Sequence, residues 1–230
     1  VSGHCRRADT GDAKTFGKSV GGCQTLKNTK LWVGETMDKD DVIAFFNRRA
    51  LSWDARMVRD ELVIRKILDN AEIWDGLDIL DVACGTGVLI SDYLARGVRH
   101  ITGIDIAPEM IRIAQEKFPQ KQVELICGDA ETMPRKKRFD RIMVYNAFPH
   151  FENPMVLLAA LTEQLRYGGR LSIAHGMSRE QLKQHHTGSA RAVSVDLPTA
   201  EILAEMMEKF HLSVDVVISD ERMYQVSGRK

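Results

Sequence analysis

Three aspartates in this chain each come at the end of a short apolar run that has the composition of a strand. Asp81 is the last residue of the run LDILD, and Asp105 is the last residue of HITGID. One residue separates Asp129 from the run VELIC. In an open parallel sheet, residues at the carboxyl ends of strands face one ligand crevice. We therefore expect the three carboxylates to lie close together, where they can accept hydrogen bonds from the hydroxyl and amino groups of a nucleotide-like ligand.

Two glycines one residue apart, Gly85 and Gly87, follow Asp81. They allow a tight turn into a helix and a close approach of a ligand to the main chain. A dinucleotide-binding turn would have a third glycine where this chain has Ile90, and Asp81 would repel a pyrophosphate. The same carboxylate would attract an ammonium group. The turn therefore favours a ligand with an amino-acid moiety over a nicotinamide dinucleotide.

The segments that must position these residues alternate between strand-like and helix-like patterns. Helical spacing predicts two helices after Met37, with Asp38 as an N-cap, and a helix whose first turn holds Pro108. Near-continuous apolar strands between helices predict a parallel sheet covered on both faces. Helices are expected at 88–96, 108–118 and 154–165, and the last should be stopped by Gly168-Gly169. Strands are expected at 77–83, 100–105, 122–127, 138–145 and 170–175. An antiparallel hairpin of 212–218 and 222–228 should follow them.

Composition narrows the class of protein. The chain has 230 residues, 32 basic and 32 acidic side chains and no formal net charge, so no overall field attracts it to nucleic acid or anionic lipid. No apolar stretch approaches the ~18 residues of a membrane-spanning helix, and four cysteines without a C-x-x-C pair suggest neither a metal site nor disulfides. We expect a cytoplasmic protein with no integral membrane segment, with Cys84 and Cys127 as small buried hydrophobes.

Residues 1–36 differ in composition from the rest. They hold 6 of the 17 glycines and six Lys or Arg against three Asp or Glu, without a sustained apolar period. We expect a disordered leader or a non-native extension at 1–36, and one domain at 37–230.

Five segments in order carry a family resemblance: ILDVACGTGVL, ITGIDIAPEMI, VELICGDAETMP, FDRIMVYNAFPHF and LRYGGRLSIAH. Together they resemble the successive motifs of class I S-adenosylmethionine-dependent methyltransferases. The resemblance implies an α/β fold with a Rossmann-like seven-stranded, mostly parallel sheet, helices on both faces and an antiparallel C-terminal strand. It also implies S-adenosyl-L-methionine (SAM) as the methyl donor and S-adenosyl-L-homocysteine (SAH) as the product.

The resemblance also implies site residues. It assigns Asp105 to the ribose, Ile106 to one face of the adenine, and Asp129 with Ala130 to the adenine edge. Asn146 would lie near the methyl group. The residues assigned to the methionyl part of the cofactor are Asp81, Ala83, Gly85 and Gly87, and Cys84 in the same turn is also expected to bind the cofactor.

A helical lid is implied at 37–76. Its segment FFNRRALSWD is similar to the lid signature F-x-x-x-A-x-x-Y-D of the quinone and small-molecule C-methyltransferase branch, with Trp53 in place of the tyrosine. Trp53 would cap the cofactor. The alternative is that Phe45, Phe46 and Trp53 simply bury one helix face.

The sequence says less about the residues that would bind the methyl acceptor than about those that would bind the cofactor. His150, His175 and His186 are candidates for a general base, the first two because they lie near strand ends. Residues 177–197, which contain His185, His186 and Arg191, would form an acceptor-side insertion or a solvated loop.

A small-molecule acceptor is expected because Phe148, Pro149 and Phe151 suggest an apolar wall, although they fit a core equally well. Tyr145-Asn146-Ala147-Phe148 replaces the asparagine-proline-proline-aromatic tetrad of many adenine and glutamine N-methyltransferases, and only the basic run 135–138 favours RNA. A monomer or homodimer is expected. The alternatives are a SAM-binding protein without methyl transfer and a methyltransferase acting on RNA or protein.

Overall fold

Seven strands form one sheet in the order β3-β2-β1-β4-β5-β7-β6 in a computed structural model that describes residues 37–134, 138–185 and 188–230. Only β7 is antiparallel to its neighbours, β5 and β6, so the predicted mostly parallel sheet with a reversed final strand is confirmed. The strands are Asp78–Val82 (β1), His100–Asp105 (β2), Val123–Cys127 (β3), Phe139–Tyr145 (β4), Leu165–His175 (β5), Ser213–Ser219 (β6) and Tyr224–Arg229 (β7).

Helices cover both faces of the sheet. Helices α2 and α3 pack on one face, and α5 and α7 pack on the other. The described helices are Lys39–Arg56 (α1), Glu61–Asn70 (α2), Ile90–Ala95 (α3), Pro108–Lys117 (α4), Pro154–Gln164 (α5), Arg179–His185 (α6) and Ala200–Glu208 (α7), with short 3-10 helices at Phe148–His150 and Gly188–Val193.

Local sequence accounts for where the helices begin. The Asp38 side chain accepts a hydrogen bond from the backbone N–H of Asp40, which confirms the predicted N-cap of α1. Asp60 and Asn153 cap α2 and α5 in the same way. Pro108 occupies the first turn of α4, where its missing N–H leaves no hydrogen bond unmade.

Alternate residues of β1 enter two separate cores. Leu80 and Val82 pack with α5 and α7, whereas Ile79 packs with α2 and α3. Because both faces of the strand are buried, β1 is apolar except at Asp78, where it begins, and at Asp81.

The predicted stop of α5 at Gly168-Gly169 is wrong. The helix ends at Gln164 and β5 begins at Leu165, so both glycines lie inside a strand. Gly168 has φ +75°, and the pairing of β4 with β5 shifts register here. A positive-φ glycine serves a strand irregularity as well as a helix end, so the residue type alone cannot distinguish them.

The cysteine prediction is half right. Cys84 is buried, but Cys127 is exposed because it ends β3, the edge strand of the sheet. No helix in the described ranges is long and apolar enough to cross a membrane. The expected leader 1–36 and most of the basic run, residues 135–137, lie outside the described residues.

Candidate active site

The structure brings Asp81, Asp105 and Asp129 together, as the strand pattern predicts. All three line one cleft at the carboxyl ends of β1, β2 and β3, which encloses about 1140 Å³ of empty space, part of it open to solvent. This edge is where the sheet order reverses direction, between β1 and β4. The cleft is large enough for a nucleoside joined to an amino acid.

Asp81 is a buried carboxylate, and no ion pair joins it to another described residue. Its side chain lies between the sheet and α3, and its residue is only 2% exposed. Burial, together with the nearby charge of Asp105, raises the pKa of Asp81 to about 8, and the Tyr93 hydroxyl opposes this only in part. None of the groups that shift this pKa is a cation. The position is therefore prepared for a positive charge supplied by a ligand.

Asp105 holds the glycine turn in place. One carboxylate oxygen accepts the backbone N–H of Gly85 at 2.9 Å, and the other accepts that of Ala107 at 2.8 Å. Burial raises the pKa of Asp105, although these two hydrogen bonds act in the opposite direction. Each oxygen of a carboxylate can accept a further hydrogen bond, so the side chain can also serve a ligand hydroxyl.

The two glycines of the turn differ in their surroundings. At Gly85, with φ +57°, an added Cβ would meet only Trp53 Nε1, at 4.0 Å, so the backbone is open to the cleft. At Gly87, with φ +83°, it would come within 2.5 Å of the Phe118 ring, and Gly87 does not line the cleft. Gly87 thus serves helix packing. Ala83 also has positive φ, at 52°.

Helix α1 lies along the cleft and is anchored at several points. Asp54 accepts a hydrogen bond from Thr86 in the glycine turn, at 2.5 Å, and pairs with Lys117 at 2.6 Å. The Asn47 side chain accepts the backbone N–H of Glu109, at the start of α4. These contacts hold the predicted lid against the cofactor side of the cleft.

At the other end of α1, Lys39 contacts the third carboxylate. Its Nζ lies 2.6 Å from Asp129 Oδ2 and 2.5 Å from Glu131 Oε2. The remaining oxygen of Asp129 accepts the backbone N–H of Glu131 at 2.9 Å. The side chain assigned to the adenine edge is therefore already oriented by α1 and by its own turn.

Asn146 and His150, predicted to lie near the methyl group and the acceptor, both line the cleft. Asn146 has φ +54°, a conformation that asparagine tolerates, and its Oδ1 accepts the backbone N–H of Gly176 at 2.9 Å. His150 Nδ1 lies 2.7 Å from the Val193 carbonyl oxygen. A carbonyl only accepts, so Nδ1 carries the hydrogen, and in the neutral ring Nε2 is the basic nitrogen. The Phe46 ring stands edge-on to His150 at 4.9 Å.

The structure does not place the other two histidine candidates at the cleft. His175 is fully buried in the core beside Tyr224, with ring centroids 6.0 Å apart, because the last residue of β5 points toward α7 rather than toward the crevice. His186 lies outside the described residues. Arg191 of the insertion pairs with Asp196 on the surface at 2.6 Å. Phe148 belongs to the core, whereas Phe151 lines the cleft.

Ten of the eleven residues predicted to bind the cofactor line this cleft, and Gly87 is the exception; their individual contacts with a ligand stay predictions. The ten are Trp53, Asp81, Ala83, Cys84, Gly85, Asp105, Ile106, Asp129, Ala130 and Asn146. Sequence reasoning missed other lining residues. Some, such as Met37 and Lys39, lie outside the motifs, whereas others, such as Val88 and Glu131, lie inside motifs but were not assigned a role. The missed residues include Met37, Lys39, Met57, Val88, Glu131 and Glu152. Among the described residues, no three His, Cys, Asp or Glu side chains are grouped to hold a metal ion.

Comparison with known proteins agrees with this geometry. Residues 79–169 match the family described as a methyltransferase domain. With the sheet order and the cleft, this match confirms the predicted class: the segment is a class I S-adenosylmethionine-dependent methyltransferase domain, and SAM is the cofactor of that class.

Particular relatives are similar over part of their length. Malonyl-[acyl-carrier protein] O-methyltransferase of Acetivibrio thermocellus is 32% identical over 141 residues, which are 60% of this chain and 50% of that protein. Ubiquinone biosynthesis O-methyltransferase of Xylella fastidiosa is 33% identical over 103 residues, 43% of this chain and 42% of that protein. The chain thus spans about half the length of these relatives or less.

A solved structure extends the likeness of fold. Magnesium protoporphyrin IX methyltransferase from Synechocystis PCC 6803, with bound SAH, aligns with a TM-score of 0.63 over 84% of this chain and 100% of that chain, at 15% sequence identity. At this identity the likeness concerns the fold.

Proposed function

We propose that this chain transfers the methyl group of SAM to a small, uncharged acceptor, such as a quinone-like compound or another small metabolite. The observation that carries the proposal is a single cleft with two chemically different sides. One side has the carboxylates Asp81 and Asp105, and the other has His150 and Phe151 next to Asn146. When bound, SAM supplies an electrophilic methyl group on a sulfonium.

The cofactor side fits the charge of SAM. Asp81 is a buried carboxylate with no cation among the described groups that shift its pKa, and the amino group of the methionyl part would provide one. The open backbone at Gly85 allows a close approach, and the Trp53 indole covers it from α1. Asp105 would accept hydrogen bonds from the ribose hydroxyls.

On the acceptor side, His150 would act as the general base. The Val193 carbonyl holds the ring in one tautomer, which directs the basic Nε2 away from that carbonyl. A hydroxyl or an acidic carbon must lose a proton during methylation, and Nε2 would take it. The protein otherwise needs to align the acceptor and exclude water, which suits the apolar rings of Phe46 and Phe151.

The charge of the cleft supports a neutral acceptor. Among the described lining residues, Lys39 is the one Lys or Arg, and it already pairs with two acids. The lining carboxylates are Asp81, Asp105, Asp129, Glu131 and Glu152. Among these described lining residues, a carboxylate acceptor would find no guanidinium to bind it. The proposal therefore favours an uncharged acceptor over a malonyl-type carboxylate.

Two experiments test this proposal. Isothermal titration should give binding of SAM and SAH, and absence of heat with both would overturn it. Incubation of the protein and deuteromethyl SAM with metabolite extract should then label a small molecule. SAM binding without any labelled product would instead favour a binding protein without methyl transfer, and labelled RNA or protein would favour the other alternative.

The role of His150 has its own test. His150→Gln should lower kcat by roughly 10²- to 10⁴-fold, as expected for loss of a general base, and leave SAM affinity unchanged. His100→Gln is the matched control, since His100 begins β2 at the opposite edge of the sheet from the cleft. Equal activity of the two variants would exclude His150 as the base.

A further inference from the structure

The positive charge of Lys39 lies at an unfavourable position, the amino-terminal end of α1. Lys39 is the first residue of α1, and the amino-terminal end of a helix carries partial positive charge that favours acids. Asp40 and Asp41 in the same turn follow this preference. Helix formation therefore does not account for a lysine here, and its tertiary contacts do.

Those contacts join α1 to the end of β3. The Lys39 ammonium bridges Asp129 and Glu131, whose side chains are 20% and 10% exposed, while its own side chain remains half exposed. Burial lowers the pKa of Lys39, but the hydrogen bonds to the two carboxylates outweigh it and the pKa is raised. The two distances make the bridge an ion pair, and all three residues line the cleft.

The two ends of α1 are held differently. Near the carboxyl end, Asp54 is anchored to Thr86 in the glycine turn and to Lys117. Near the amino end, the contacts are the Lys39 bridge and an apolar cluster around Val42, Phe45 and Val193. The Lys39 bridge therefore joins this end of α1 to the end of β3, as Asp54 joins the other end to the glycine turn.

We propose that Lys39 is a latch. Its ion pairs hold the amino-terminal end of α1 over the cleft, and they must break before the ligand of the cleft leaves. The proposal rests on the proposed function in taking SAM and SAH as that ligand. Without the Lys39 charge, the Asp129 and Glu131 carboxylates would face each other unneutralised, which would also loosen the turn assigned to the adenine edge.

The test is the rate of SAH release. Lys39→Met keeps the length and apolar stem of the side chain but removes the charge. We expect SAH to dissociate about fivefold faster from this variant, as partly exposed ion pairs make modest contributions. Raising the salt concentration should speed release from the unmodified protein and have little effect on the variant. Lys121→Met, an exposed lysine outside the cleft, is the matched control.

Hydrogen exchange tests the latch without any ligand. Amides of residues 39–46 should exchange faster in Lys39→Met than in the unmodified protein, while those near Asp54 should not change. Glu131→Gln should give part of the same effect, and the double variant should fall short of the sum of the two. Unchanged exchange at 39–46 together with unchanged SAH release would overturn the latch. If the unmodified protein binds no SAH, the proposed function fails, and exchange alone decides the latch.

Discussion

Asp81 illustrates how a residue can favour binding at the expense of folding. Its carboxylate is buried beside Asp105 and has no cationic neighbour among the groups that shift its pKa. The unfolded chain ionises it near its ordinary pKa of 3.8, whereas the folded protein keeps the proton until about pH 8. The folded state thus binds more protons in this window, so this group lowers stability as the pH rises through it.

Asp81→Asn should remove this pH dependence. We expect the ligand-free variant to be more stable than the unmodified protein, by a margin that grows between about pH 4 and pH 8, and to bind SAM at least tenfold more weakly because the amide cannot balance an ammonium. Thermal unfolding at several pH values and titration with SAM measure the two effects. A constant stability difference across the pH range would contradict the buried-carboxylate argument.

Asp105 has two roles that a single substitution would remove together. Its oxygens accept the backbone N–H groups of Gly85 and Ala107, so the residue is part of the turn before any ligand arrives. Reasoning from the sequence recognises only the assignment to ribose. The structure adds the support of the turn.

Asp105→Ala should therefore weaken SAM binding and also destabilise the ligand-free protein, by roughly 1–3 kcal/mol, because two backbone donors lose their acceptor. Urea unfolding without ligand measures the second effect, and titration of the folded variant measures the first. A variant as stable as the unmodified protein would show that water replaces the carboxylate in the turn.

In the turn between β1 and α3, one glycine leaves the backbone open to a ligand, and a nearby glycine allows close packing against a neighbouring side chain. Both have positive φ, but Gly85 opens toward the cleft and Gly87 faces the Phe118 ring. The sequence presents them as equivalent members of one motif. Only the position of α4, which ends next to Phe118, distinguishes them.

Gly85→Ala and Gly87→Ala should consequently have opposite profiles. Gly85→Ala should cost about 1 kcal/mol of stability from backbone strain and lose most SAM affinity, since the methyl group narrows the approach to the backbone. Gly87→Ala should destabilise by more than about 2 kcal/mol, because the Phe118 ring must move, with near-normal affinity of the folded fraction. Denaturation and titration of both variants measure this contrast, and identical profiles would refute it.

At the scale of the whole molecule, the apolar clusters of the described residues lie within the predicted domain at 37–230. The two main clusters begin at Leu80 and at Val63, and the smaller clusters include Met37 and Val42. We expect a chain of residues 37–230 to unfold cooperatively within a few degrees of the full chain's Tm. Calorimetry of the two chains measures this, and loss of cooperative unfolding in the shorter chain would contradict the predicted domain boundary.

The sequence by itself determined the order of the seven strands and of the helices as far as α5, and the convergence of Asp81, Asp105 and Asp129. It did not predict α6 or α7. Apolar periodicity is local, and parallel strands bring their carboxyl ends to one edge whatever the remaining packing. Periodicity could not predict that Gly168 lies within β5 rather than after a helix, because glycines with positive φ occur both at strand irregularities and at helix ends.

Only the tertiary structure decided which candidates reach the cleft. His150 and His175 both follow strands, but the Val193 carbonyl holds one at the cleft and the packing of β5 buries the other beside Tyr224. Lys39 lies 90 residues from Asp129 along the chain, and no motif connects them. Such contacts depend on how elements distant in sequence pack together, and that information is not contained in the pattern of any one segment.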